Sequence, residues 1–290
     1  MRALSTLALA ITATLLMKCS SNENREYRKD VRDRSTIRFA QYSESVKDTF
    51  FIDIQLPKEY FEKPQEKYPT IILVDGNFYF PIMSSIVSQY EIAGLLEPVI
   101  VVGVGYKSFK TMDSLRVRDY LFPKALPSDE MNAVGGGEDF YNFLTKEVIP
   151  KIDSNYRTDT ANRMLLGHSF GGYFVLYGLF NQLRNGTSYF KTFISASPTL
   201  WYNNFYLNQL PELLEKDKRE IGLFISVGEM EDSTWSVKPV KDITTEIQIR
   251  NIKGLEFRSM VYNHLDHMDV AVLSFTKGLQ ELMVRKGEPK

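Results

Sequence analysis

A chain of 290 residues with 43% hydrophobic, 13% aromatic and 24% charged side chains has the make-up of one large folded domain or two small ones. That excludes a disordered, collagen-like or multi-span membrane chain, and a net charge of −1 gives no field to attract nucleic acid, so no such partner is expected. One cysteine cannot close an internal disulfide, and three histidines leave few choices wherever chemistry needs a base.

Arg2 precedes an apolar run, Leu4–Met17, of fourteen residues. A membrane-spanning helix needs about 20, so the run fits the apolar region of an export signal instead. Cys19 falls where a bacterial lipoprotein signal carries its lipidated residue, with Lys18 before it where a small residue is usual and Ser20–Asn24 behind it as a polar tether. The expected organisation is an export signal over residues 1–18, a polar tether and lead-in segment over 19–34, and one domain over 35–290. The expected location is the bacterial cell envelope, exported to the periplasm or membrane-anchored through lipid on Cys19.

Two β-rich runs, Thr36–Tyr42 and Thr49–Leu56, are joined by a short polar turn and read as an antiparallel hairpin. Nearly continuous apolar runs follow at Thr70–Val74, Val99–Val104, Met164–Leu166, Thr192–Ala196, Ile221–Val227 and Leu255–Tyr262. Runs apolar on both faces suit parallel strands covered by helices. Helical patterns lie between them, near Tyr79–Ala93, Glu138–Ile149, Gly171–Leu183, Leu207–Glu215, Lys238–Ile252 and Asp269–Val284. The alternation predicts an α/β fold: a mostly parallel eight-stranded sheet with helices on both faces. The connection Lys107–Gly137 is long and rich in Arg, Lys and aromatic residues, which predicts a lid or binding loop.

The sharpest motif is Gly167-His168-Ser169-Phe170-Gly171-Gly172, between the strand Met164–Leu166 and an apolar helix start. A strand–serine–helix turn needs glycines because the backbone is strained and Cβ atoms would clash where the elements meet. Such a turn lifts the Ser169 hydroxyl clear of the sheet and puts the Phe170 N–H where it can bind an oxyanion. A second oxyanion donor is expected from the loop after the first parallel strand, Val74-Asp75-Gly76-Asn77, with the Asn77 N–H as donor.

A serine hydroxyl needs a base, usually a histidine held by a carboxylate. His168 is spent inside the turn, which leaves His264 and His267 in Asn263–Asp269, after the last strand and before the last helix. The same segment also reads as a surface loop, or as an H-x-x-H metal site that lacks an evident third and fourth ligand, so no metal is expected. The acid should follow the strand Ile221–Val227, where Glu229, Glu231 and Asp232 all stand. Topology does not choose among them.

In the long connection, Arg116 and Arg118 could clamp a carboxylate or catecholate-type anion, while Tyr120, Phe122 and Trp201 supply stacking surface. The competing reading is a structural Arg–Asp pairing around Asp113 and Asp119 with the aromatics as core.

Taken together, the stretches Ile72–Asn77, Arg116–Tyr120, Gly136–Phe140, Gly167–Gly172, Ser195–Trp201 and Gly228–Asp232 resemble the putative-esterase family of α/β hydrolases. That family includes siderophore trilactone esterases, S-formylglutathione hydrolases and feruloyl esterases. The resemblance runs from about Thr36 to Met283 and implies an α/β-hydrolase fold with Ser169 as nucleophile, Glu231 as acid and His267 as base. Together with the export signal, it further implies an exported serine carboxylic-ester hydrolase acting through an acyl-enzyme, without cofactor, on a small-molecule ester of the siderophore trilactone kind. A carbohydrate-ester (feruloyl or acetyl) esterase is the alternative substrate reading, and a catalytically inactive binding lipoprotein on the same fold is the alternative of another class. Position supports His267 as well: it directly precedes the last helix, where the loop can turn back over the serine.

Overall fold

In the computed structural model, residues 36–283 are described; the expected export signal, the tether and Cys19 lie outside them. The sheet has eight strands: β1 Ile37–Ser43, β2 Asp48–Gln55, β3 Tyr68–Leu73, β4 Ile100–Gly105, β5 Thr158–His168, β6 Thr192–Ala196, β7 Ile221–Gly228 and β8 Leu255–Tyr262. Their order across the sheet is β1-β2-β4-β3-β5-β6-β7-β8. β1 and β2 form the expected antiparallel hairpin, β2 pairs antiparallel with β4, and every later pairing is parallel.

Burial follows position in the sheet. Every residue of β4, β6 and β7 is buried, whereas edge strand β1 alternates half-buried Ile37, Phe39 and Gln41 with exposed Arg38, Ala40 and Tyr42. Strands covered on both sides can be apolar throughout; an edge strand with one wet face cannot. β5 starts at Thr158, well before the apolar run Met164–Leu166, because its first six residues are mostly polar and carry no apolar signature.

The helices are α1 Gly76–Ile92, α2 Phe109–Tyr120, α3 Gly137–Asn142, α4 Ile149–Asn155, α5 Phe170–Asn185, the short α6 Tyr202–Phe205, α7 Leu210–Lys216, α8 Lys238–Arg250 and α9 Val270–Leu282. Side-chain alternation in the strands divides the core in two. Ile71, Leu73, Val101, Leu166 and Phe224 pack with Tyr79, Phe80 and Met83 of α1 and Phe275 and Leu279 of α9. Ile72, Val74, Val102, Leu165 and Ile225 face the opposite side, with Phe174 and Leu176 of α5, Phe140 of α3 and Ile243 of α8. This is the α/β-hydrolase fold, with helices on both faces.

The long connection is not an open lid. Ser108 caps α2, its Oγ accepting from the Thr111 N–H at 3.3 Å, and the helix buries Met112, Asp119 and Tyr120. Its buried face carries polar groups, so apolar periodicity could not reveal it.

The strand order reverses around β3. The chain after β3 enters α1 on one face, and the chain after β5 enters α5 on the other. The crevice between the carboxyl ends of β3 and β5 is therefore a topological switch point, where α/β sheets hold their sites.

Candidate active site

Ser169 occupies the turn between β5 and α5 with φ 60° and ψ −119°, a conformation that L-residues rarely adopt. The turn is tied on both sides: the Ser169 N–H donates to the Ala196 carbonyl at 3.0 Å, and the Ser169 carbonyl accepts from the Tyr173 N–H at 2.8 Å. Glycine is required at position 167, because a Cβ there would run into the Gly171 carbonyl and approach Val74 Cγ2 to 2.8 Å. The Ser169 side chain remains partly exposed. Phe170 opens α5, whose first N–H groups have no partner within the helix and face the carboxyl end of the sheet.

Asn77 is the second residue of α1. Its side chain brackets the end of β4, donating to the Tyr106 carbonyl at 2.6 Å and accepting from the Tyr106 N–H. Those bonds pin the first turn of α1, to which the Asn77 N–H belongs.

The three acidic residues after β7 have three different tasks. Glu229 is exposed and accepts from the His264 N–H at 3.2 Å. Asp232 caps the following turn, accepting from the Thr234 and Trp235 N–H groups at 2.8 and 2.7 Å. Glu231 is buried at 7% exposure, and its Oε2 lies 2.7 Å from His267 Nδ1. Its other oxygen accepts from the Gly228 N–H at 2.8 Å and from Ser197 Oγ. Burial acts to raise the Glu231 carboxyl, but the hydrogen bonds from His267, Ser197 and Gly228 together hold it below the ordinary value. A carboxylate on Nδ1 fixes the neutral imidazole with its proton there and leaves Nε2 as an acceptor.

The loops after β7 and β8 are stitched together: the Met230 N–H donates to the Leu265 carbonyl at 3.1 Å, and a Cβ at Gly228 would strike that carbonyl. His267 is half-buried within this pair of loops, whereas His264 is exposed with φ 59°. The His267 ring sits 4.5 Å, centroid to centroid, from the ring of His168, the residue before Ser169.

The expected substrate contacts need correction. Arg116 is half-buried and gives its guanidinium to Asp75, at 3.1 Å from Nε and 2.7 Å from Nη2. Nη2 also donates to the His168 carbonyl at 3.0 Å. Burial pushes the Asp75 carboxyl up, against the pull of this guanidinium. Arg118 is paired with Asp119 at 2.6 Å and Asp48 at 2.9 Å. Tyr120 is fully buried, accepts from the Asp75 N–H at 3.0 Å and packs its ring on Phe140 and Phe174. Tyr120 is thus enclosed and offers no stacking face, while the two guanidinium groups are engaged in ion pairs within the protein. Trp201 is half-buried against the core just before α6, and Phe122 packs on Tyr177.

Residues that sequence reasoning gave no role also belong here. Ser197, at φ 41° after β6, holds Glu231. Tyr79 Oη lies 2.8 Å from His168 Nδ1. The glycine-rich turn and the Ser195–Trp201 stretch pointed at this neighbourhood, but such pairings join residues far apart in the chain. A cleft of about 900 Å³ opens at the other end of the sheet, by Tyr68, Thr192, Gly222 and Leu255, at the amino ends of β5 to β8. None of the groups described above lines it. Among the described residues, no group of three or more His, Cys, Asp or Glu side chains is arranged to hold a metal ion.

Known proteins resemble this chain in sequence and in fold. The sequence model of the "Putative esterase" family matches residues 43–267. Ferri-bacillibactin esterase BesA of Bacillus subtilis is 30% identical over 198 residues, covering 63% of this chain and 66% of that protein. The apo-salmochelin esterase of Escherichia coli O6:H1 is 30% identical over 145 residues, 47% of this chain and 43% of its own length. The matched stretch thus spans just under two thirds of the first relative and less than half of the second. Among solved structures, the BES protein from Bacillus cereus superposes with a TM-score of 0.75 at 27% identity, over 86% of this chain and 95% of that one. An IroE-like serine hydrolase from Shewanella oneidensis gives 0.73 at 26% identity, over 86% and 80%. With the family's sequence pattern running from β1 to His267 on this eight-stranded sheet, the chain belongs to the "Putative esterase" family of the α/β-hydrolase fold.

Proposed function

We propose that this protein is a serine esterase that cleaves carboxylic esters through an acyl-enzyme, with Ser169 as nucleophile, His267 as general base and Glu231 as the carboxylate that orients it. The observation that carries the reading is the 2.7 Å contact between His267 Nδ1 and buried Glu231, on loops that meet the strained turn bearing Ser169. In the first step the Ser169 oxygen attacks the ester carbonyl carbon while its proton passes to His267 Nε2. The tetrahedral oxyanion is met by the N–H groups of Phe170 and Asn77. Collapse breaks the carbon–oxygen bond and the alcohol leaves with the proton from His267. Water then repeats the sequence on the acyl-enzyme, releasing the acid and restoring Ser169.

The siderophore esterases among its relatives support an ester of the siderophore trilactone kind as substrate. The sequence features Leu4–Met17 and Cys19 support export and a lipid tether. Among the described residues no helix is long and apolar enough to cross a membrane. The test is hydrolysis by purified protein of catecholate trilactones, simple aryl esters and feruloyl or acetyl sugar esters. The expected order is trilactone first; a preference for sugar esters would replace the substrate, and no turnover of any ester would leave a binding protein. Cys19→Ala is expected to move the protein from the membrane pellet to the soluble fraction.

A further inference from the structure

His168 is 2% exposed, so its ring depends on partners within the protein. A buried imidazole needs a partner at each nitrogen. Nδ1 lies 2.8 Å from the Tyr79 hydroxyl, and Nε2 lies 2.8 Å from the main-chain carbonyl of His267. A carbonyl can only accept, so Nε2 carries the proton and Nδ1 accepts from Tyr79. Tyr79 is itself set edge-on against Phe275 of α9, at 5.3 Å and 89°. The main chain of His168 is gripped as well, through its carbonyl, by Arg116.

One residue therefore joins three pieces of the site. Its backbone continues into Ser169, its carbonyl is tied to the Asp75–Arg116 pair, and its side chain holds the backbone of His267. Glu231 binds the His267 ring at a single atom, and the bonds from Met230 to Leu265 and from His264 to Glu229 tie its loop further up the chain; the bond from His168 acts on the main chain of His267 itself. Resting on the serine-esterase reading above, the geometry points to His168 as a positioning residue: its Nε2–H bond to the His267 carbonyl sets where the base stands relative to the Ser169 hydroxyl. The distance matters because a general base works only within hydrogen-bond reach of the proton it takes, and a misplacement of about 1 Å can cost about 10²-fold in rate.

The test is steady-state kinetics on an aryl ester, with melting temperature, for His168→Leu, His168→Gln, Tyr79→Phe and Ser169→Ala. Leucine removes both ring nitrogens, whereas the glutamine amide can restore the donor to the His267 carbonyl. His168→Leu is expected to lower kcat by about 30-fold or more with KM within about twofold, and His168→Gln to recover about tenfold of that loss. A purely structural role would move the melting temperature and leave kcat per folded molecule unchanged. If His168→Leu does not fold, Tyr79→Phe, which deletes one hydroxyl, is expected to lower kcat several-fold at constant KM. Wild-type kcat in the folded leucine variant, or in Tyr79→Phe where that one does not fold, overturns the proposal if Ser169→Ala is inactive. So does a glutamine variant no better than leucine. Activity in Ser169→Ala removes the serine reading, and the positioning role with it.

Discussion

The Nδ1 atom of His267 faces Oε2 of Glu231 at 2.7 Å, while the other carboxylate oxygen is held by the Gly228 N–H and Ser197. Both oxygens are thus committed, and the carboxylate cannot turn away from the ring. Glu231→Gln keeps the shape but offers an amide where a charge was, and it loses the stabilisation of an imidazolium. Its kcat is expected to fall about 10²- to 10⁴-fold with little change in KM. Glu229→Gln, which alters only the support of the His264 loop, is expected to stay within about threefold of wild type. Kinetics on the two purified variants check the ranking; equal losses would contradict it.

The two loop histidines separate in the same way. His267→Ala is expected to lose activity on the scale of Ser169→Ala, and the double variant to lose little more, because the two groups act as one unit. His264 is exposed and contributes its backbone to Glu229, so His264→Ala is expected to cost only a small factor. An inactive His264→Ala beside an active His267→Ala would reverse the assignment of the base.

Arg116 distinguishes a structural ion pair from a substrate clamp. Removing it leaves the Asp75 carboxyl buried and unpaired, at a cost of about 3–5 kcal/mol. Arg116→Met is therefore expected to lower stability in urea unfolding, and Asp75→Asn added to it to recover much of the loss. A raised KM at unchanged stability would return Arg116 to the substrate.

Acid stability follows from His168. Burial, helped by the neighbouring His267, pushes its ring down to about 3, against about 6.5 in the unfolded chain. Below pH 6.5 the unfolded chain takes up a proton that the folded one refuses. The contribution is therefore complete above that pH and shrinks toward pH 3, by about 1.4 kcal/mol per unit. His168→Gln lacks this titration. The stability difference between wild type and His168→Gln is expected to shift against wild type by roughly 2–3 kcal/mol between pH 7 and pH 4.5. Urea unfolding at the two pH values measures it, and a constant difference would mean that the folded ring takes up its proton as readily as the unfolded one.

How much of this could be read from the sequence depended on the kind of signal. All eight strands left an apolar run or alternation, since burial on one or both faces leaves that mark directly, but the polar first half of β5 did not. Helix α2 did not, because its buried face is built from Arg116, Asp119 and Tyr120 as well as Met112. The turn around Ser169 was legible because glycines are required where elements touch. The pairing of Arg116 with Asp75, 41 positions away, was not: a charged pair looks the same in sequence whether it holds a loop or awaits a ligand. Nor could spacing choose Glu231 over its neighbours Glu229 and Asp232, since that choice is made by which side chain turns inward to the Gly228 N–H and Ser197.

Covalent capture of the nucleophile tests the central claim most directly. A fluorophosphonate reacts only with a serine whose proton has somewhere to go. Intact-mass measurement of the purified protein, followed by peptide mapping, is expected to find one adduct, on Ser169. The adduct should be absent from Ser169→Ala and formed at least about 10²-fold more slowly in His267→Ala. An adduct on another residue, or folded protein that hydrolyses esters while Ser169 stays unlabelled, would contradict the account.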